Sequence, residues 1–149
     1  MALDRIMDIA GSGLSAQLVR MNTTASNIAN SGVVAGSEAE AFRAKRPTFQ
    51  TILDQTAVRN ATQATGGVRV TGITDDSAPV VQLYTPGHPL ANEQGYVWGS
   101  NINEVQEMIE MLDASRGHQK NVEVIKTAKD MRRPCRARLW HITDARKLH

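Results

Sequence analysis

The stretch MALDRIMDIAGSGLSAQLVRMNTTASNIAN, residues 1–30, decides the fold. Its apolar side chains recur at steps of three and four, which keeps them on one face of a helix and not of a strand. They are Leu3, Met7, Ala10, Leu14, Leu18, Met21, Ala25 and Ile28. The stretch stops at Asn30-Ser31-Gly32, where Gly can take the left-handed conformation that ends helices. The spacing predicts one amphipathic helix of roughly 45 Å, at about 1.5 Å per residue.

Two glycines interrupt this helix at Gly11-Ser12-Gly13. Each costs about 1 kcal/mol relative to alanine in a helix. Two interpretations stay open: neighbouring backbones approach closely there, or the helix is kinked or frayed. The glycines also resemble part of a nucleotide-binding loop, but no strand precedes them, so we discount that interpretation.

Residues 101–131 predict a second long helix. Asn101 with Glu104 three positions later is close to a capping box. The helix carries two apolar runs separated by a polar stretch over residues 113–121. The first run is Ile102, Val105, Met108, Ile109 and Leu112, and the second is Val122, Ile125, Ala128 and Met131. We expect the polar stretch to meet polar partners on another chain. The acidic row Glu104, Glu107 and Glu110, at helical spacing, is interpreted as a solvated face.

The middle of the chain has a different character. Val68–Thr71 alternates with period two and Val80–Tyr84 is a second strand candidate. The basic run Phe42–Pro47 is interpreted as a solvated strand or loop. We therefore predict a mainly α fold with a small β insertion, in which the long terminal helices pair in a coiled-coil-like way. Its segments are an N-terminal axial helix (1–31), a β-containing central region (32–100), a C-terminal axial helix (101–131) and a basic tail (132–149).

Composition favours close helix packing over a deep core. Aromatic residues make up only 4% of the 149 residues, and small residues fill much of the first helix. The net charge of +2 is unevenly distributed: residues 132–149 hold six basic residues and one acidic residue, which leaves 11 basic and 14 acidic residues elsewhere. The body of the chain is therefore mildly acidic.

Several classes of function lack their signals. None of the four histidines lies three to five residues from another His or a Cys, so metal-ligand spacing is absent. We predict no enzyme, no metal, no cofactor and no small-molecule substrate. No run approaches the ~18–20 apolar residues of a membrane span, and Asp4 and Asp8 argue against a cleaved secretory signal. The basic tail could favour nucleic acid, but no motif accompanies it and we predict no such partner.

Several motifs carry a family resemblance. Asp8–Gln17 and Ala25–Asn30 resemble the N-terminal signature of bacterial flagellar rod, hook and axial proteins. Five later segments also resemble that family; these segments are Phe42–Lys45, Pro89–Val97, Asn101–Asn103, Ala114–Arg116 and Lys126–Lys129. Their order and the short length of the chain are similar to those of the family's proximal rod proteins. The resemblance covers roughly residues 1–131.

The resemblance implies a structural subunit of the flagellar proximal rod. Terminal helices of many subunits would pack into a helical tube that crosses the periplasm and transmits torque. The implied partners are other rod subunits, further copies of this chain and the flagellar type III export apparatus, which requires no cleaved signal peptide. In this family the terminal segments tend to be disordered before assembly. The alternative is a soluble coiled-coil or secretion-adaptor module that binds one partner.

We predict a subunit interface on the two apolar stripes, together with two amides at the end of the first helix that would hydrogen-bond across subunits and set register. Its residues are Leu3, Met7, Ala10, Leu14, Leu18, Met21, Asn27, Ile28, Asn30, Ile102, Val105, Ile109, Leu112, Val122 and Ile125.

The tail departs from the family. There the C-terminal helix usually continues, whereas Arg132-Arg133-Pro134 ends it here. Either the last eighteen residues come from a shifted reading frame, in which case assembly would suffer, or they are natural divergence. The coding sequence would separate the two.

Overall fold

The computed structural model describes residues 2–53 and 66–132. The elements are α1 (Ala2–Ala29), β1 (Val34–Ala35), β2 (Lys45–Leu53), β3 (Gly66–Asp75), β4 (Val81–Tyr84), β5 (Tyr96–Gly99) and α2 (Glu104–Arg132). The two long helices predicted from periodicity are present, each within a few residues of its predicted ends. The predicted tail beyond Arg132 lies outside the described residues.

The strands form two antiparallel sheets. β2 and β3 make a two-stranded hairpin that pairs Lys45 with Asp75 at one end and Leu53 with Gly66 at the other, with a register shift after Thr48. The second sheet has the order β1-β5-β4. The two strand candidates are confirmed, since Val68–Thr71 lies inside β3 and Val80–Tyr84 overlaps β4. The basic run Phe42–Pro47, predicted as a solvated strand or loop, overlaps only the first three residues of β2; the rest of β2 was not predicted, because its side chains do not alternate between buried and exposed positions.

The predicted fold class was wrong. The molecule is an α+β structure with two antiparallel sheets, and strands account for about half as many described residues as helices. The helices pack antiparallel but not as a coiled coil. A coiled coil buries large apolar residues at its seam, whereas Val105, Met108, Ile109 and Leu112 of α2 are each more than half exposed.

α1 is the element on which α2 and the β2–β3 hairpin pack. α2 packs along α1 and also contacts β2 through the Glu107–Arg46 ion pair, and the β2–β3 hairpin lies along a neighbouring side of α1. Val68 N donates to Ser12 Oγ at 3.2 Å near one end of the hairpin, and Lys45 N donates to Asn27 Oδ1 at 2.8 Å near the other. The largest fully buried side chains include Glu107 and Asn27, so the centre of the molecule is partly polar.

The start of α2 differs from the predicted capping box. Asn103, not Asn101, caps the helix, because its Oδ1 accepts from Val105 N at 3.1 Å. Asn101 instead accepts from Ala44 N at 2.8 Å and donates to Ala78 O at 3.0 Å. Gly32 is not left-handed either, since Gly87 and Gly95 are the glycines with positive φ among the described residues. Neither helix of the described part is long and apolar enough to cross a membrane.

Candidate subunit interface

The α1–α2 seam is made of small and amide side chains. A Cβ placed on Gly13 would lie 2.9 Å from Asn121 Nδ2, and one on Gly117 would lie 3.0 Å from Gln17 Cδ. Each glycine therefore accommodates an amide of the opposite helix. Gly117 and Asn121 of the polar stretch contact α1 of the same chain here, and polar partners on another chain stay a prediction. Of the two interpretations of Gly11-Ser12-Gly13, close approach is correct for Gly13, whereas Gly11 has nothing within 4 Å of its Cβ position.

The acidic row of α2 also faces α1. Glu104 Oε1 accepts from Ser31 Oγ at 2.5 Å, and Glu110 forms an ion pair with Arg20. The side chain of Glu107 is only 1% exposed. The interpretation of this row as a solvated face was wrong for Glu107, because its partners Asn27 and Arg46 lie more than 60 positions away, where helical spacing cannot reveal them; Glu104 stays exposed.

Asn27 and Glu107 form the buried centre of the molecule. Asn27 is fully buried, and its Nδ2 donates to Lys45 O and to Glu107 Oε2, both at 3.0 Å. The other oxygen of Glu107 lies 2.9 Å from Arg46 Nη2. A buried carboxylate is tolerated when hydrogen bonds and an opposite charge satisfy it, as they do here. This network joins α1, the start of β2 and α2, and it fixes their relative positions.

These contacts determine which side of the helix pair is open. On α1, Gly13 faces α2 and Ser12 faces the hairpin. Since successive helical residues are about 100° apart, Leu14, Leu18 and Met21 lie on the side away from the hairpin. The same geometry places Val122 and Ile125 of α2 on that side. We call this surface the two-helix face; it consists of Leu3, Met7, Leu14, Leu18, Met21, Met111, His118, Val122 and Ile125.

Comparisons with known proteins match both ends of the described chain. Residues 7–36 match the family described as "Flagella basal body rod protein", and residues 93–133 match "Flagellar basal body rod FlgEFG protein C-terminal". The flagellar basal-body rod protein FlgC of Salmonella typhimurium is 45% identical over 131 residues, covering 88% of this chain and 93% of that protein. FlgC of Escherichia coli O157:H7 is 46% identical with the same coverage, and FlgC of Bacillus subtilis is 28% identical over 84% of this chain and 90% of that protein.

The chain belongs to the FlgC family of flagellar basal-body rod proteins. It is therefore a structural subunit of the basal-body rod, which decides against the single-partner adaptor. The FlgC family is one of structural components, and its members assemble with other rod components. The surfaces of this FlgC-family chain that remain open are thus candidates for contacts between subunits.

The predicted interface residues fall into four groups in this FlgC-family structure. Leu3, Met7, Leu14, Leu18, Met21, Val122 and Ile125 lie on the two-helix face, where most are half-buried and Leu18 is 49% exposed. Val105, Ile109 and Leu112 lie on the side of α2 opposite α1. Ile28 and Ile102 are half-buried near the ends of the helices. Ala10, Asn27 and Asn30 form the fourth group.

This fourth group is engaged within the chain. Ala10 and Asn27 are buried, and Asn27 uses its amide on Lys45 and Glu107. Asn30 Nδ2 donates to Ser26 O at 2.8 Å on its own helix. In the single chain Asn27 therefore fixes α1 relative to β2 and α2, whereas Asn30 bonds within its own helix, and hydrogen bonds across subunits stay a prediction.

Sequence reasoning missed Glu107, Gln17 and Asn121 as residues of the seam. For Gln17 and Asn121 the one visible signal was the pairing of a glycine with an amide four positions on, at Gly13 and Gln17 and again at Gly117 and Asn121. Sequence reasoning also left Met108 out of the predicted interface, although Met108 lies between Val105 and Leu112 on the same apolar run and is 56% exposed. Its position on the apolar run was sufficient to include it.

Proposed function

We propose that this chain joins the proximal rod through its two-helix face, which packs against helices of neighbouring rod subunits. The supporting observation is that seam and hairpin contacts use the small and polar residues of α1, while Leu14, Leu18 and Met21 stay on the open side. A row of apolar side chains along the open side of a helix pair is typical of a protein–protein contact. His118 Nδ1 is buried on this side without a hydrogen-bond partner among the described residues, which favours a donor or acceptor from a neighbour.

Torque transmission follows from the same arrangement. A rod subunit must resist shear between neighbours, and long helices supply many simultaneous contacts along their length. The Asn27–Glu107–Arg46 network would keep the two helices and the hairpin from sliding past one another under load. We place the assembled chain in the periplasmic part of the basal body. We further propose that it arrives through the flagellar type III export apparatus without a cleaved signal, as the family resemblance implies.

Leu14→Asp tests the interface. A charge on the two-helix face should abolish motility and rod assembly in cells that lack the native rod protein, because an unpaired carboxylate would be buried between subunits. Ser15→Asp is the matched control, since it places the same charge on the next, exposed residue of α1. Swimming by Leu14→Asp cells at the level of the control would contradict the assignment. The purified variant should keep its helical circular dichroism signal, which separates lost assembly from lost folding.

A further inference from the structure

Two buried polar atoms of the α1–α2 seam have no hydrogen-bond partner among the described residues. They are Oε1 of Gln17 on α1 and Nδ1 of His118 on α2. The two residues lie at the same level of the seam, because a Cβ placed on Gly117, which precedes His118, would lie 3.0 Å from Gln17 Cδ. A buried polar atom without a partner costs free energy, so two of them at one level indicate a contact that the single chain does not supply.

Both side chains lie where the seam opens onto the two-helix face. Gln17 is four residues after Gly13, which faces α2, and four residues before Met21 on the two-helix face. His118 belongs to that face and is four residues before Val122. Each of the two residues is half-buried, whereas its unpaired atom is buried. Gln17 and His118 thus form a polar spot among the apolar side chains that would pack against a neighbouring subunit.

Other polar side chains of the seam find their partners within the chain. The amide of Asn27 donates to the carboxylate of Glu107, and Arg20 forms an ion pair with Glu110. Gln17 lies on the same helix as Asn27 and Arg20, yet its amide oxygen stays unpaired. A polar residue kept within an apolar helix interface commonly fixes the register of the partner helix at a cost in stability. The difference points to a partner from outside the single chain.

The two atoms require a group that both donates and accepts hydrogen bonds. Gln17 Oε1 only accepts, whereas Nδ1 of a neutral histidine accepts or donates according to its tautomer. A hydroxyl meets both needs with one oxygen, since its O–H donates while its lone pairs accept. A charged group fits poorly, because packing beside the apolar Leu14 and Met21 would remove its water.

We propose that Gln17 and His118 receive a Ser or Thr hydroxyl from a neighbouring rod subunit, and that this contact sets the register of the two-helix face in the rod. Both residues border the open surface, and a side-chain rotation turns the two atoms towards the hydroxyl. The inference rests on the proposed function and adds the chemistry of the partner at that interface. It requires opposite effects in two assays: apolar substitution of either residue should stabilise the single chain and impair the rod.

Thermal unfolding of the purified full chain, followed by circular dichroism, tests the first effect. Gln17→Met and His118→Leu should each raise the melting temperature by about 2–4 °C, because each removes a buried atom that has no partner. Gln119→Met makes the same change as Gln17→Met at an exposed position of α2 and should leave the melting temperature nearly unchanged. A lower melting temperature for Gln17→Met or His118→Leu would show that the atom is already satisfied in the single chain, which overturns the proposal.

Swimming of cells that lack the native rod protein tests the second effect, relative to cells with the unchanged chain. Gln17→Met and His118→Leu should impair swimming, because the hydroxyl of the neighbour would be buried without its partner. His118→Asn is the matched control and should swim, since its amide keeps a hydrogen-bonding atom near the position of Nδ1. Gln17→Glu should fail, and swimming by this variant at the unchanged level would identify a cationic partner and overturn the hydroxyl.

Leu14→Asp separates this contact from the interface as a whole. If Gln17→Met and His118→Leu swim at the unchanged level while Leu14→Asp does not, the hydroxyl contact is wrong and the two-helix interface stands. If Leu14→Asp also swims, the interface itself is wrong and the inference fails with it.

Discussion

Asn27 holds together three elements that are far apart in sequence. Its amide oxygen accepts from the backbone N–H of Lys45, and its amide nitrogen donates to Lys45 O and to Glu107 Oε2. The end of α1 is thus tied to the first residue of β2 and to the first turn of α2. Each partner is buried or half-buried, so water cannot replace these bonds without opening the structure.

Asn27→Ala should lower the free energy of unfolding by about 3 kcal/mol, because a buried backbone N–H, a carbonyl and a carboxylate would each lose a hydrogen bond. Thermal or urea unfolding followed by circular dichroism measures the change. Asn22→Ala is the control, since Asn22 is exposed on the same helix, and it should be neutral or slightly stabilising. Equal stabilities of the two variants would show that the Asn27 network is unimportant in the isolated chain.

At the scale of elements, the packing of α2 distinguishes it from the rest of the molecule. Its seam residues are Ala114, Gly117, Asn121 and Ala128, together with the acidic row, and its large apolar residues point elsewhere. Glycines allow this approach, which a larger residue would prevent. The seam is therefore specific in geometry but buries little apolar area, and hydrophobic stabilisation scales with that area.

Gly13→Leu should destabilise the helix pair by about 1–3 kcal/mol, because the added side chain must displace Asn121 and separate the helices. Gly11→Leu, two residues away, has nothing within 4 Å of its Cβ position and should gain about 0.5–1 kcal/mol from helix propensity. The opposite signs of the two changes, read from melting temperatures, identify Gly13 as the point of close approach. A stabilising Gly13→Leu would mean that the helices do not pack closely there.

At the scale of the whole molecule, a polar centre and apolar outer surfaces suit a subunit that is completed by its neighbours. The buried apolar cluster of Ala35, Ala41 and Val80, with Trp98 against it, is small. Large apolar residues remain exposed on the helices and on the hairpin, among them Leu18, Phe49, Ile73 and Met108. A monomer with this distribution has modest stability, and its least supported element should open first.

Limited trypsin digestion of the dilute chain should therefore cleave after Lys126 and Lys129 before it cleaves after Arg43 or Lys45. The first two lie on exposed positions near the end of α2, whereas Lys45 pairs with Asp75 and Arg43 Nη1 donates to Ala78 O. Mass spectrometry of the fragments over time gives the order. Resistance of α2 equal to that of the hairpin would show that the helix pair is already stable in one molecule, as a self-contained module would be.

The sequence by itself determined the two helices, their approximate ends and the family. These features are local or follow from motifs: periodicity at Leu3, Met7, Leu14 and Leu18 requires only neighbours along one helix. Only the tertiary structure decided which helix face was buried within the chain. Glu107, Asn121 and Gln17 are seam residues because they contact positions far away in sequence: Glu107 accepts from Asn27, and Asn121 and Gln17 lie against Gly13 and Gly117. A periodic pattern records the hydrophobicity of a face, but it does not record whether that face meets the same chain or another subunit.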